Sequence, residues 1–129
     1  MAETETHITQ VGTVMVPVSN QDRALEFFLD KLGFEKRTDT PYGEGDRWVE
    51  VAPPGAATSI ALVPPREGEA AGIQTRAGFT SDDIDADHAT LRARGVEADD
   101  AVMRMGEPVP PMFFFRDPDG NNFLIVEQA

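Results

Sequence analysis

The chain has 129 residues, which suffice for one hydrophobic core but not for two independent ones. Its net charge of −12 argues against nucleic acid as a partner, because phosphate binding needs clustered Lys and Arg. The lack of cysteine excludes disulfides, thiolate nucleophiles and cysteine-ligated metals. No apolar stretch approaches membrane-spanning length, and the first residues lack a signal peptide's basic and apolar regions. We therefore expect one domain over 1–129, soluble and cytoplasmic, without a membrane partner and with a flexible acidic tail at 1–7.

The first half of the chain predicts a strand, a capped helix and a hairpin. A strand-like run at 11–18 leads through Ser19 and Asn20 into a helix over 23–32, which Gly33 closes. Ser and Asn accept the free backbone N–H groups of a first helical turn, and glycine adopts the left-handed conformation that ends a helix. Two apolar runs follow at 48–51 and 59–63, joined by a Pro/Gly turn, which is typical of a β-hairpin.

The second half repeats this order. A short run at 77–79 passes through 81–83 into a helix over 84–94, closed by Gly95. The apolar runs 112–116 and 122–126 then flank an Asp-Pro-Asp-Gly turn, which again predicts a hairpin. The repetition indicates that one unit was used twice. We place the first module at about 9–65 and the second at about 73–128.

The repeated order of one strand, one helix and three strands resembles the vicinal oxygen chelate superfamily. Phe-Arg-Asp-Pro-Asp-Gly-Asn at 115–121 and the helix residues 24–28 through 32–34 carry the resemblance, which covers roughly 10–127. That group contains glyoxalase I, extradiol dioxygenases, fosfomycin-resistance enzymes and bleomycin-resistance proteins. The resemblance implies an α+β fold of two tandem βαβββ modules that form an open, cupped β-barrel with helices outside. It also implies a homodimer, and leaves open whether the modules pair within one chain or by swapping between two.

Strand alternation divides the predicted sheet residues into two sets. The set expected to face the helices is entirely apolar: Val14, Val16, Val49, Val51, Ile60, Leu62, Ala77, Phe79, Phe114, Phe123 and Ile125. The opposite set mixes aromatic, polar and charged side chains: Thr13, Met15, Trp48, Glu50, Ser59, Ala61, Arg76, Phe113, Phe115, Asn122 and Leu124. A concave surface with aromatic walls and a few polar groups is what a small-molecule pocket needs. All of the second set except Ser59 are therefore candidate ligand-binding residues.

Two other interpretations of these residues stay open. Trp48, Phe113 and Phe115 are also compatible with ordinary packing at a barrel or dimer seam. Glu50 and Arg76 are also compatible with a mutual ion pair that has no role in ligand binding.

The resemblance also locates the superfamily's metal ligands, which lie on the first strand and on a late strand of each module. These positions fall on Thr13, Ala61, Arg76 and Leu124. Alanine and leucine have no donor atom, and arginine repels a metal ion. The sequence therefore predicts that the usual metal site is absent, and no cofactor is expected.

Two classes of function remain. The first is a bleomycin-resistance-like protein that binds a small aromatic or cationic molecule without metal, with Trp48, Phe113 and Phe115 stacking on it. The alternative is an enzyme, a glyoxalase-like lyase or isomerase rather than a dioxygenase. It would use a displaced metal site, or Glu50 as general base and Arg76 to stabilise an oxyanion. A closed ion pair between Glu50 and Arg76 would favour binding over catalysis. The sequence does not identify the ligand.

Overall fold

The computed structural model describes residues 5–128, so residues 1–4 of the expected acidic tail lie outside the described part. Ten elements follow one another: β1 Thr13–Pro17, α1 Gln21–Asp30, β2 Glu35–Tyr42, β3 Asp46–Ala52, β4 Ser59–Val63, β5 Gln74–Ser81, α2 Ile84–Ala93, β6 Glu97–Ala98, β7 Met112–Arg116 and β8 Asn122–Glu127. Within residues 5–128, neither helix is long and apolar enough to span a membrane.

The strands form two four-stranded sheets with the same order. The first sheet runs β1-β4-β3-β2 and the second β5-β8-β7-β6. In each sheet the strand before the helix pairs in parallel with the last strand of its module, and the other pairs are antiparallel. This confirms the predicted α+β fold of two βαβββ modules. The sheets are cupped and are not closed into a barrel.

Both helices lie where the sequence predicts, although α1 begins and ends two residues earlier than expected and α2 ends one residue earlier. The Asn20 side chain accepts a hydrogen bond from the Arg23 backbone N–H at 2.9 Å, and Asp83 accepts one from Ala86 at 3.2 Å. Gly33 and Gly95 follow the helices with φ angles of 73° and 81°, a conformation that glycine adopts without strain. The caps fix where each helix begins and ends.

One hydrophobic core lies between the two sheets. Helix α1 packs on the first sheet, and its Phe28 ring, fully buried, lies 5.7 Å from the Phe123 ring of the second. Its Phe27 ring lies 6.4 Å from that of Phe115. Residues of α2 and of the helix-covered sides of both sheets join the same cluster. Because the covered side of each sheet faces this shared core, the other side of each sheet, called here its open face, points away from it.

A buried amide fixes the two modules relative to each other. Asn121, in the turn between β7 and β8, donates from Nδ2 to the Pro17 carbonyl oxygen of β1 at 2.9 Å. Its Oδ1 accepts from the backbone N–H groups of Gly72 and Ile73 at 2.8 and 2.9 Å. The neighbouring Asp117 carboxylate accepts from Asn121, and its burial raises the pKa of that carboxyl above the usual range. These bonds join the first module, the connection between modules and the last hairpin.

The predicted orientation of the three consecutive phenylalanines in β7 is wrong. Phe113 and Phe115 are fully buried on the covered side, while Phe114 lies on the open face. The strand register explains the difference, because Phe114 pairs with Leu124, and residues directly opposite in an antiparallel pair point to the same side. Phe115 stacks on Phe123, which was correctly expected in the core.

Candidate functional site

The open face of the first sheet collects six of the expected residues. We call this surface, formed by Thr13, Met15, Trp48, Glu50, Ser59 and Ala61, the first open face. The register places Met15 and Glu50 on either side of Ala61, and Thr13 beside Ser59. Ser59 and Ala61 are buried, whereas Met15 is 57% exposed. The face therefore has a floor of small side chains with larger ones above it.

Glu50 is held firmly by its neighbours on this face. One carboxylate oxygen accepts a hydrogen bond from the Ser59 hydroxyl and the other from the Trp48 indole N–H. These two donors, Ser59 first, lower the pKa of Glu50, and the positive charge of Arg37 acts in the same direction. A carboxylate that is ionised and already bonded on both oxygens is a weak proton acceptor at neutral pH. The arrangement holds Glu50 in one position as an ionised carboxylate.

The open face of the second sheet surrounds a cavity of about 460 Å³. We call this surface the second open face; its lining residues are Gln74, Arg76, Phe114, Asn122 and Leu124. Phe114 and Leu124 pair directly across β7 and β8 and supply the apolar part. Sequence reasoning missed Gln74 and Phe114. The position of Gln74, two residues before Arg76 on an alternating strand, was the available signal for the first of them.

A bulge in β5 presents Arg76 to this cavity. The pairing of β5 with β8 shifts between Gln74 and Gly78, and in the gap the Thr75 hydroxyl donates to the Asn122 carbonyl oxygen at 2.7 Å. Arg76 has a φ of 61°, the only positive value at a non-glycine position among residues 5–128. Such a conformation is unfavourable for a residue with a Cβ, and strained residues of this kind cluster at functional sites. Bulges commonly redirect a side chain beside a binding site.

Asn122 leaves one polar atom without a partner. Its Nδ2 donates to Gln74 Oε1 at 2.9 Å. Its Oδ1 is buried and forms no hydrogen bond with any residue that the structure describes. A buried acceptor without a donor is unfavourable by about 1–3 kcal/mol, so such atoms in native proteins are usually satisfied by a bound water, an ion or a ligand.

The expected residues thus fall into three groups. Thr13, Met15, Trp48, Glu50 and Ala61 lie on the first open face, whereas Arg76, Asn122 and Leu124 lie on the second. Phe113 and Phe115 lie on neither. Glu50 and Arg76 belong to different sheets and form no ion pair within the described chain, so the closed pair considered from the sequence does not form.

The side chains at the superfamily's metal positions do not suit a divalent ion. Thr13 and Ala61 offer one neutral hydroxyl between them, and Arg76 and Leu124 offer a positive charge and an alkyl group. Within residues 5–128, no three His, Asp or Glu side chains are grouped closely enough to hold a metal ion. His88 instead lies against the Phe113 ring on the covered side, with Nε2 2.7 Å from the Asp99 carbonyl oxygen.

Two βαβββ modules, each a four-stranded sheet with one helix, define the class of fold to which the chain belongs. The model of the Glyoxalase/Bleomycin resistance protein/Dioxygenase superfamily matches residues 10–125, and the chain belongs to this superfamily.

Comparisons with solved structures and curated proteins give similar relatives over nearly the full chain. TnmS3, an antibiotic binding protein from Streptomyces sp. CB03234, is 35% identical, with a TM-score of 0.84 over 97% of this chain and 100% of that one. A superfamily member from Sphaerobacter thermophilus DSM 20745 is 36% identical, with a TM-score of 0.88 over 95% and 100% of the two chains. The uncharacterized protein YetH of Bacillus subtilis is 36% identical over 93% of this chain and 99% of its own length.

Proposed function

We propose that this chain binds a small aromatic molecule, without a metal ion, between its open faces. The observation that carries the proposal is the cavity on the second open face, where an apolar floor lies beside a buried acceptor and a guanidinium that have no partner among the residues the structure describes. Apolar walls with a few placed polar groups are typical of small-molecule sites. The similarity to TnmS3, named as an antibiotic binding protein, supports a role in antibiotic sequestration.

We further propose that a second copy of the chain completes the pocket. The two open faces of one chain point away from their shared core, so they do not enclose a ligand between them. In a dimer with a two-fold axis, the first open face of each copy would lie against the second open face of its partner. Such a dimer would have two equivalent pockets. The faces are complementary in charge, because the first carries Glu50 and the second Arg76. Exposed apolar side chains, including Met15 and Val11 at the start of the first sheet, would then be covered.

The hydrogen bonds of Glu50 favour binding over proton abstraction. Both Glu50 oxygens already accept bonds from Ser59 and Trp48, and these bonds lower the pKa of the carboxyl and so weaken it as a proton acceptor at neutral pH. Trp48, by contrast, presents a ring whose position these bonds fix. The geometry therefore supports Trp48 as an aromatic wall and Glu50 as the group that orients it.

Binding is tested with four naphthalene compounds of different charge: 2-naphthamide, 2-naphthoate, 6-hydroxy-2-naphthoate and 2-naphthylmethylammonium. Isothermal titration calorimetry with EDTA present measures affinity, and Trp48, the single tryptophan, provides fluorescence quenching as a second signal. We expect at least one compound to bind the wild type. M15R and L124R should each weaken the affinity for that compound roughly tenfold or more, since each substitution places a charged side chain on an open face. T90R, on the exposed outer surface of α2, is the matched control and keeps the affinity. Failure of all four compounds to bind, or equal binding to all three variants, would overturn the proposal.

Metal independence is tested separately by measuring metal content. Purified protein is analysed by mass spectrometry before and after incubation with Ni²⁺, Zn²⁺, Mn²⁺ and Fe²⁺ and desalting. We expect less than about a tenth of an equivalent in every case, because the four side chains at the metal positions supply no adequate ligand set. Nearly one retained equivalent would contradict metal independence and favour the alternative of a glyoxalase-like enzyme with displaced ligands.

A further inference from the structure

The charge of the second open face is opposite to that of the whole chain. A net charge of −12 favours the approach of cations. The residues of this chain that line the cavity, however, include one guanidinium and no carboxylate. Glu50, which the proposed two-fold arrangement would bring to the opposite wall, already accepts hydrogen bonds from Ser59 and Trp48. Electrostatic selection at close range depends on the groups in the site, because salt screens charges more than about 10 Å away. Local charge, rather than net charge, therefore decides which ligands this face accepts.

Arg76 differs from the other arginines in having no hydrogen-bond partner within residues 5–128. Each of the other eight donates to a carboxylate or a backbone carbonyl oxygen. Arg76 forms no such bond with the residues that the structure describes, although the chain has 23 acidic side chains. The bulge of β5, fixed by Thr75, places Arg76 among neutral neighbours. Its five N–H donors are thus free for an acceptor from outside the chain.

Asn122 lines the same cavity but, within the described residues, lacks a hydrogen-bond donor, whereas Arg76 lacks an acceptor. Its amide N–H₂ is engaged by Gln74, and its buried Oδ1 is the atom without a partner. An amide oxygen accepts hydrogen bonds and does not donate them. A ligand that satisfies both residues must therefore carry an acceptor oxygen for Arg76 and an O–H or N–H donor for Asn122. Phe114 and Leu124 provide contact for a flat apolar body between these groups.

We propose that the second open face selects aromatic acids that also carry a hydrogen-bond donor, with Arg76 binding the acidic oxygen and Asn122 Oδ1 accepting from the donor. The inference rests on the proposed binding function and makes it specific: the ligand is an anion rather than a cation. A carboxylate, a phenolate and an enolate share the chemistry that Arg76 recognises. Charge-assisted hydrogen bonds of this kind are about twice as strong as neutral ones, so the acidic oxygen dominates selection.

The test compares the four naphthalene compounds on the wild type, R76Q, R76K and N122L by calorimetry at neutral pH. We expect both naphthoates to bind the wild type roughly tenfold or more tightly than 2-naphthylmethylammonium does. R76Q should weaken binding of the naphthoates far more than binding of 2-naphthamide and so remove this preference, and R76K should retain part of it because the charge remains. The hydroxyl of 6-hydroxy-2-naphthoate should improve affinity several-fold in the wild type but not in N122L.

R66Q serves as the control, because Arg66 is exposed and pairs with Glu69 away from the cavity. It should bind every compound as the wild type does. Equal or tighter binding of the cation, or an acid preference that survives R76Q, would overturn this inference and leave the proposed binding function standing. Absence of binding by all four compounds would overturn both.

Discussion

The two open faces have the same strand order but opposite polar states. On the first, Trp48 and Ser59 satisfy both oxygens of Glu50, so its polar groups are paired before any ligand arrives. On the second, Arg76 has no partner within the described chain, and Asn122 Oδ1 is buried without one. A repeated module thus supplies two surfaces of similar shape and different chemistry. The first is suited to forming a preorganised wall, and the second to choosing the ligand.

The largest expected effect is a difference in stability loss between substitutions on the covered side of the second sheet and on its open face. F115A removes a fully buried ring that stacks on Phe79 and Phe123, and we expect a loss of about 3–5 kcal/mol in the free energy of unfolding. F114A removes a ring from the open face and should lower the free energy of unfolding by about 1 kcal/mol or less, since the ring is already partly in water. Urea denaturation of both variants measures the difference. Equal losses would show that our assignment of the open face is wrong.

The adjacent asparagines sharpen the comparison further. N121A leaves the N–H groups of Gly72 and Ile73 and the Pro17 carbonyl without a partner, and we expect it to destabilise the chain by roughly 2–3 kcal/mol. N122A removes an acceptor whose burial without a donor is unfavourable by about 1–3 kcal/mol, together with one exposed bond to Gln74, and should therefore leave stability unchanged or raise it. Urea denaturation again provides the measurement. A large loss in N122A would mean that Asn122 is a structural residue rather than a binding one.

A smaller effect is expected on the first open face. S59A removes the stronger of the two donors to Glu50 from a buried position, and we expect it to lower stability by about 1 kcal/mol and to raise the pKa of Glu50. T58A is a useful control because the Thr58 hydroxyl donates to the Val11 carbonyl oxygen without contacting Glu50. Titration of the carboxyl by NMR measures the pKa. An unchanged value in S59A would contradict the view that Glu50 is held by its neighbours.

The smallest effect concerns pH. The folded-state pKa of Glu50 is lowered, so its ionised form stabilises the chain above the ordinary pKa of 4.5, and this contribution disappears as pH falls through the folded value. E50Q should therefore be less stable than the wild type at pH 7, by about 1 kcal/mol or less because the group is partly solvated. The difference in unfolding free energy between E50Q and the wild type should narrow as the pH falls below 4.5, the ordinary pKa of Glu50. A gap in unfolding free energy that widens on acidification would contradict this account.

Local signals in the sequence predicted most of the fold. Asn20 and Asp83 as caps, with Gly33 and Gly95 after the helices, marked both helices to within a few residues. The hairpins at β3–β4 and β7–β8 were recognisable from alternating apolar residues and Pro/Gly turns. For β2 and β6 the sequence indicated little more than the starting point, because their exposed residues lack an apolar pattern.

The candidate site was only partly predictable, for two physical reasons. Three consecutive phenylalanines in β7 carry no alternation, so only the pairing of Phe114 with Leu124 decides which ring is on the open face. The bulge that presents Arg76 depends on a register shift against β8, which a single strand does not reveal. Trp48 and Glu50, in a regularly alternating strand, were placed correctly on one face.

The central claim, that a ligand lies between the first open face of one chain and the second open face of another, is tested most directly by mixing two blocked variants. M15R blocks the first open face and L124R the second, so each alone should fail to bind the naphthalene compound that the wild type binds best. After subunit exchange, each mixed dimer would have one pocket that carries both substitutions and one pocket that carries neither. Because about half of the dimers in an equimolar mixture are mixed, about a quarter of the wild-type sites would be restored. Calorimetry should detect that fraction at wild-type affinity. Binding no greater in the mixture than in the separate variants would contradict a pocket shared between two chains.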